Sequence, residues 1–211
     1  MTFYAREHWE NVYQTKTPNE VSWYQEKPQT SLDLIAETGL DKYSMIIDIG
    51  AGDSKLVDNL LALGYRNITV LDVSSVALDR AKKRLRRKAD DIKWVVSDLR
   101  EFETNDRYDI WHDRAVLHFL TDEEDINKYV NSVRQFLKPA GYLIISVFSF
   151  NGPKRCSGLN VRPYSEDSMK KLFNDFKHVK SFEERHITPS GSDQIFIYNI
   201  FRKKGGENEK I

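Results

Sequence analysis

Asp48, Gly50, Gly52 and Ser54 stand at alternate positions in IDIGAGDS, where an apolar run gives way to two glycines and then to residues at helical spacing. Glycines free of a Cβ let the backbone turn sharply around Ala51 and let a ligand come close, and the helix that follows opens with unpaired N–H groups. A turn that holds the pyrophosphate of a dinucleotide reads GxGxxG, its third glycine letting helix pack on strand; Lys55 occupies that third position here. Asp48, inside the strand end, suits orientation of the turn or capture of an ammonium group, and is a poor neighbour for pyrophosphate. Asp72 lies 20 residues after Gly52 in VLDVSS, with Val73 beside it. It is positioned to accept hydrogen bonds from two ribose hydroxyls, and its charge disfavours a 2′-phosphate. In SDL, Asp98 and the Leu99 N–H can bind an adenine edge while the Leu99 side chain packs on its face. Each feature alone is common; three in order on successive strand ends are specific.

Those strand ends belong to an alternation that runs along the chain. Short apolar, β-branched runs at 45–49, 67–71, 92–96, 108–111 and 142–148 read as strands, as do 179–186 and 194–201. Helical spacing of apolar residues covers 55–63 and 76–85. A third helix opens at TDEE, with Thr121 and Glu124 at capping-box spacing, and runs to about residue 137, where KPAG stops it. A fourth helix is expected over 165–176. Strands alternating with helices of this length imply right-handed crossovers and a mostly parallel sheet covered on both faces. Ligands bind such sheets beyond the carboxyl ends of the strands. The expected organisation is one domain over 1–204: an N-terminal helix or lid to residue 30, a cofactor-binding core over 45–148, a substrate loop over 149–165, and a frayed tail over 205–211.

Composition narrows the class. Lys plus Arg equals Asp plus Glu at 32 each, so no overall field draws the chain to nucleic acid or to an anionic membrane. Seven of the nine residues in RAKKRLRRK (80–88) are basic, but the run follows the second strand on a helix and reads as a solvated face. The single cysteine, Cys156, has no internal disulfide partner, which points to a reducing compartment, and no metal site is expected. No stretch approaches the ~18 apolar residues of a membrane span, so the expected setting is the cytoplasm.

IDIGAGDS, VLDVS, VSDLREF, DIWHDRAVLHFL and LKPAGYLIISVF resemble the successive motifs of class I methyltransferases that use S-adenosylmethionine. The resemblance covers about 45–148 and implies a Rossmann-like α/β sheet of seven strands, ordered 3-2-1-4-5-7-6 with the seventh antiparallel. It implies that Gly50, Ala51, Gly52 and Ser54 lie against the methionine part of S-adenosylmethionine, that Asp72 holds its ribose, and that Asp98 and Leu99 flank its adenine. HWENVYQTKTPNEVSWYQ (8–25) is similar to the leading segment of small bacterial methyltransferases related to the tellurite and thiopurine enzymes. It is similar also to the opening of the lysine methyltransferases that modify citrate synthase and elongation factor. WHDRAVLHFLT and the following GPKRCSGLNVRPYS resemble a bacterial subfamily known only as class I methyltransferases.

Methyl transfer from a sulfonium is an in-line displacement, so positioning supplies much of the rate and a strong base is optional. Trp9, Tyr13, Trp23 and Tyr24 have two readings: a lid whose ring faces stabilise the sulfonium, at about 0.5–2 kcal/mol per contact, or an aromatic helix packed on the core. Asp113 and Arg114, at the exit of the fourth strand, suit an acceptor pocket or a salt bridge that shapes the loop. His118 is a candidate for a direct role; His112, His8 and His186 are weaker ones. Arg155 and Arg162, in the polar loop after the fifth strand, suit an anionic substrate or a solvated surface, and Cys156 between them reads as packing. The function expected is transfer of a methyl group to a small thiol, chalcogenide or acid by a monomer or homodimer. A protein lysine is the alternative acceptor, and a cofactor-binding regulatory module without catalysis is the non-enzyme alternative.

Overall fold

The computed structural model describes residues 2–205, so the expected frayed tail lies, from residue 206, outside the described residues. The chain clusters into two compact units, one running to Glu103 and including Ile187–Ser192, the other Thr104–His186 with Asp193 onward.

In the first unit α1 (Thr2–Thr15), α2 (Gln29–Glu37), β1 (Ile46–Ile49), α3 (Leu56–Ala62), β2 (Ile68–Asp72), α4 (Ser75–Leu85) and β3 (Lys93–Val96) follow in order. β2 lies between β1 and β3, parallel to both, with Asp48 opposite Val70 and Asp72 opposite Val96. Every residue of β1 and β2 is buried, as befits strands covered on both faces. α4 buries Ala77, Leu78, Ala81 and Leu85, a helical stripe, and the Ser74 side chain caps it by accepting from Ala77 N. α2 was not foreseen: its nine residues are too short to establish a period, yet Leu32, Leu34 and Ile35 are buried.

The second unit contains β4 (Tyr108–Arg114), α5 (Glu123–Phe136), β5 (Leu137–Phe148), a small hairpin of β6 (Arg155–Cys156) and β7 (Leu159–Asn160), α6 (Glu166–Leu172), β8 (Phe176–Ile187) and β9 (Asp193–Lys203). β5 runs parallel to β4 and antiparallel to β9. The seven long strands are ordered β3-β2-β1-β4-β5-β9-β8, which is the order expected once the hairpin strands are left out of the count.

Three local expectations are corrected. Asp122, not Thr121, is the N-cap of α5 and its side chain makes no cap hydrogen bond; Glu123, Glu124 and Asp125 fill the first turn, where carboxylates meet the positive end of the helix. KPAG does not separate helix from strand: β5 begins at Leu137 and runs through it. Ala140 at φ +61° and a register shift between Tyr108 and Ile110 absorb the irregularity. A Cβ on Gly141 would stand 2.9 Å from Lys138 O and 3.0 Å from Asp109 O, so only glycine fits there. α6 stops at Leu172 and β8 is already extended at Phe176, so the helix expected to 176 is shorter. The hairpin turns on Ser157 and Gly158, both at positive φ, the two-residue geometry that matches strand twist.

Candidate active site

The glycine turn after β1 is built as its sequence requires. Gly50 and Gly52 adopt φ +58° and +56°, Ala51 N bonds Leu71 O of β2, and Ser54 N closes back on Ala51 O. Asp72, at the end of β2, ties the turn to the neighbouring loop: its Oδ2 accepts from Gly52 N and its Oδ1 from Ser74 N, both at 2.8 Å. Each oxygen keeps a second lone-pair direction. Burial pushes the Asp72 carboxyl up to about 6, with the Asp48 and Glu10 charges adding, against the two N–H bonds that pull it down. Asp48 is buried in β1 behind the turn, and Val73 is half-buried beside Asp72.

Arg84, from the basic run, holds the far side of this turn. Its Nη1 donates to Asp53 O and its Nη2 to Ser54 O, both at 2.8 Å, while Nε and Nη2 fork onto the Asp58 carboxylate. Arg80 reaches Asp53 at 3.4 Å. These two arginines are therefore not part of a solvated face, and nothing in the bare sequence distinguishes them from their exposed neighbours. Replacing Arg84 with methionine leaves two carbonyls and a carboxylate without their donor and is expected to cost about 1–3 kcal/mol of stability, read by urea denaturation. A loss under about 0.5 kcal/mol would mean that water substitutes freely for the guanidinium.

The third strand end differs in detail from expectation. Asp98 spends both carboxylate oxygens on Arg100, which forks onto it through Nε and Nη2 and adds its backbone N–H. Against the cost of burial, that cation holds Asp98 below the ordinary carboxylate range. An adenine amine would thus share Asp98 with Arg100, a partner two residues on that the sequence reading overlooked. Leu99 is buried.

The N-terminal segment crosses this same turn. Tyr13 is buried, and a Cβ on Gly52 would lie 2.1 Å from its hydroxyl oxygen, so the phenol rests directly on the glycine. Trp9, Tyr13 and Trp23 meet with centroids 5.7–6.5 Å apart, two of the three pairs near edge-on. Tyr24 turns outward, donating to Glu26, whose carboxylate also takes Lys55 at the start of α3. Glu10, which the sequence reading did not single out, bonds the N-terminus of α4 through four contacts.

In the second unit the expected acceptor residues occupy tighter places. Asp113 is fully buried, and its oxygens accept from Tyr129 Oη at 2.7 Å, Val116 N at 2.8 Å and Leu117 N at 3.2 Å. Burial pushes this carboxyl up to about 6 despite those donors. Arg114 is half-buried, and Ala115 after it takes φ +78°. His118 is fully buried and stacked on Phe148 at 4.2 Å; its Nδ1 accepts from Phe148 N, which leaves the proton on Nε2. That Nε2 has no partner among the described residues, and burial pushes the ring down to about 3, so it is neutral. Arg162 binds Glu123 at the start of α5 and stacks over Tyr164, while Arg155 donates to Gly158 O inside its own hairpin. Cys156 is buried and forms no disulfide among the described residues. Among the described residues no three metal-ligating side chains converge, and no helix is long and apolar enough to cross a membrane.

These shifts set opposed pH responses. Asp72 and Asp113, raised from 3.8, stabilise the fold fully below 3.8 and lose that contribution as pH rises through about 6. His118, lowered from 6.5 to about 3, stabilises above 6.5 and loses that contribution as pH falls. A His118→Asn variant is therefore expected to show a stability deficit near neutral pH that shrinks steadily below about pH 6.5, in melting curves taken across pH. A deficit independent of pH would show that His118 does not titrate with unfolding.

Residues 46–141 match the family described as a methyltransferase domain. The chain is 30% identical over 98 residues to nodulation protein S of Rhizobium tropici, covering 46% of this chain and 40% of that protein. It is 27% identical over 168 residues to the eEF1A lysine and N-terminal methyltransferase of Mus musculus, covering 74% of this chain and 23% of that one. The chain thus spans about half or less of the length of these curated relatives. In fold it is similar to the N-methyltransferase NodS from Bradyrhizobium japonicum in complex with S-adenosylhomocysteine. The TM-score is 0.68 at 17% identity, over 93% of this chain and 98% of that one. The fold is the one this solved methyltransferase shows, a Rossmann-like α/β sheet of seven strands.

Proposed function

We propose, from the match of residues 46–141 to the methyltransferase-domain family, that this protein transfers the methyl group of S-adenosylmethionine to a small nucleophilic acceptor. The observation that carries the reading is the pairing of a buried, ionisable Asp72 with a positive-φ glycine turn on which Tyr13 rests, itself packed on Trp9 and Trp23. The donor set fits the cofactor: Asp72 has lone pairs left for two ribose hydroxyls, and the rings of Trp9, Tyr13 and Trp23 suit a sulfonium. When bound, S-adenosylmethionine supplies an electrophilic methyl carbon whose bond to sulfur breaks as the acceptor lone pair bonds to it. Gly50, Ala51, Gly52 and Ser54 shape the cradle, with Asp48 behind it, and Val73, Leu99 and Asp98 flank the adenosine end. Arg84 keeps the cradle rigid, and the aromatic rings exclude water.

On the acceptor side, Asp113 acts as a positioning residue: its hydrogen bonds fix the turn from Val116 to Leu117 that carries His118. Within the second unit, His118, neutral with an Nε2–H that has no partner among the described residues, is the candidate for acceptor recognition, with Arg114, Arg155 and Arg162 the candidates for an anionic group. An N-terminal segment packed closely over the turn favours a small acceptor, and the likeness in fold to the N-methyltransferase NodS widens the class from thiols, chalcogenides and acids to amines. The second reading, a protein lysine, is favoured by the mouse relative, whose similarity extends over 74% of this chain. Incubation with methyl-labelled S-adenosylmethionine and a panel of thiols, sulfide, small carboxylates, amines and cell extract tests the choice, with S-adenosylhomocysteine as common readout. Label in a small product is expected. Label confined to a protein band would transfer the assignment to lysine, and binding without any transfer would leave the regulatory module.

A further inference from the structure

The N-terminus of α4 needs donors satisfied at Ser75, Val76, Ala77 and Leu78. Ala77 N bonds the Ser74 side chain and Leu78 N bonds Ser74 O, as in an ordinary capped helix. The first two donors go elsewhere. Ser75 N donates to Glu10 Oε1 at 2.8 Å and Val76 N to Glu10 Oε2 at 3.2 Å, from a helix 65 residues earlier in the chain. The Ser74 and Ser75 hydroxyls add bonds of 2.8 and 2.9 Å to the same carboxylate. Against the cost of burial, these donors hold Glu10 below the ordinary carboxylate range. The bonds are charge-assisted and lie at the positive end of α4, where a carboxylate is favoured.

Glu10 also sits on the face of α1 that the site uses. Tyr13, one turn further on, rests on Gly52, and Trp9 joins Trp23 and Tyr13. The loop that Glu10 grips begins at Asp72, whose carboxylate accepts from Ser74 N. The second tether of this segment, Glu26 to Lys55, is exposed on the glutamate side, and exposed pairs hold little.

We propose that Glu10 is a positioning residue of the site: its carboxylate latches α1 to the start of α4 and so holds Tyr13, with Trp9 packed against it, on Gly52. This rests on the cofactor reading above for its consequence. A ligand at Gly52 reaches or leaves the turn by displacing α1, and the Glu10 bonds set the cost of that displacement.

The experiment measures release of S-adenosylhomocysteine by stopped-flow tryptophan fluorescence, beside limited proteolysis within α1 of the ligand-free protein, for wild type, Glu10→Gln and Glu10→Ala. The latch predicts release accelerated at least about tenfold in Glu10→Ala, faster cleavage in α1, and Glu10→Gln between the two in both readouts. Glu10→Gln retains the size and much of the bonding, so it reports on the latch even where Glu10→Ala folds poorly. Unchanged release and unchanged cleavage in both variants would overturn the proposal, as would loss of melting temperature without either effect. Should wild type bind no S-adenosylhomocysteine, the cofactor reading falls, and cleavage of α1 alone upholds or overturns the latch.

Discussion

Gly52→Ala is expected to lower affinity for S-adenosylmethionine more than about 100-fold and to destabilise the protein by about 1–3 kcal/mol. Gly52 stands at φ +56°, where a Cβ costs energy whatever the space around it. The space is absent as well: the new methyl would lie 2.1 Å from the Tyr13 hydroxyl oxygen and 2.9 Å from its ring carbon Cζ. Tyr13 is buried and cannot simply swing out, so α1 has to give way with it. Denaturation and calorimetry separate the two costs when Tyr13→Ala is added. The double variant should regain the part of the stability due to the clash, while the affinity stays low because the turn remains strained. Full recovery of affinity in the double variant would mean that the clash, not the turn, was the whole effect.

Asp72→Asn is expected to weaken cofactor binding by about 100- to 1,000-fold, the loss of two charge-assisted hydrogen bonds from the ribose. An amide also presents an NH₂ where Asp72 accepts from Gly52 N or Ser74 N, so one of those backbone donors loses its partner. The pH dependence carries a separate signature. Asp72 titrates near 6 in the free protein and must be ionised to accept from the ribose, so wild-type affinity falls about tenfold per unit below that value. The asparagine variant should be flat over the same range. Equal pH profiles, or an unchanged affinity, would remove Asp72 from the ribose.

What the sequence disclosed was what chemistry concentrates locally. The glycine turn, Asp72 and the alternation of strands with helices could be read because each depends on residue types within a few positions and on the periodicity of burial; the order of the seven strands came only from the resemblance to class I methyltransferases. Glu10 and Arg84 could not, since each acts on backbone groups 30 to 66 residues away and looks in isolation like any charge on a helix face. Arg100 was closer, two residues from Asp98, and a pairing within DLR was the available signal. Asp113 was read from its place at a strand exit, whereas its role follows from the Tyr129 hydroxyl, contributed by a helix 16 residues later. KPAG has the composition of a stop, yet β5 runs through it, paired with β4 on either side at Leu137 and Tyr142, with no Cβ at Gly141 to meet Lys138 O and Asp109 O.

The central claim is that the turn at Gly52, closed by Asp72 and covered by α1, holds S-adenosylmethionine. Calorimetric titration of S-adenosylmethionine into the intact chain tests it most directly. The account predicts saturable binding of one molecule per chain that competes with S-adenosylhomocysteine and is weakened about 100- to 1,000-fold in Asp72→Asn. Absence of binding in the wild type, or binding that survives both Asp72→Asn and Gly52→Ala undiminished, would contradict it.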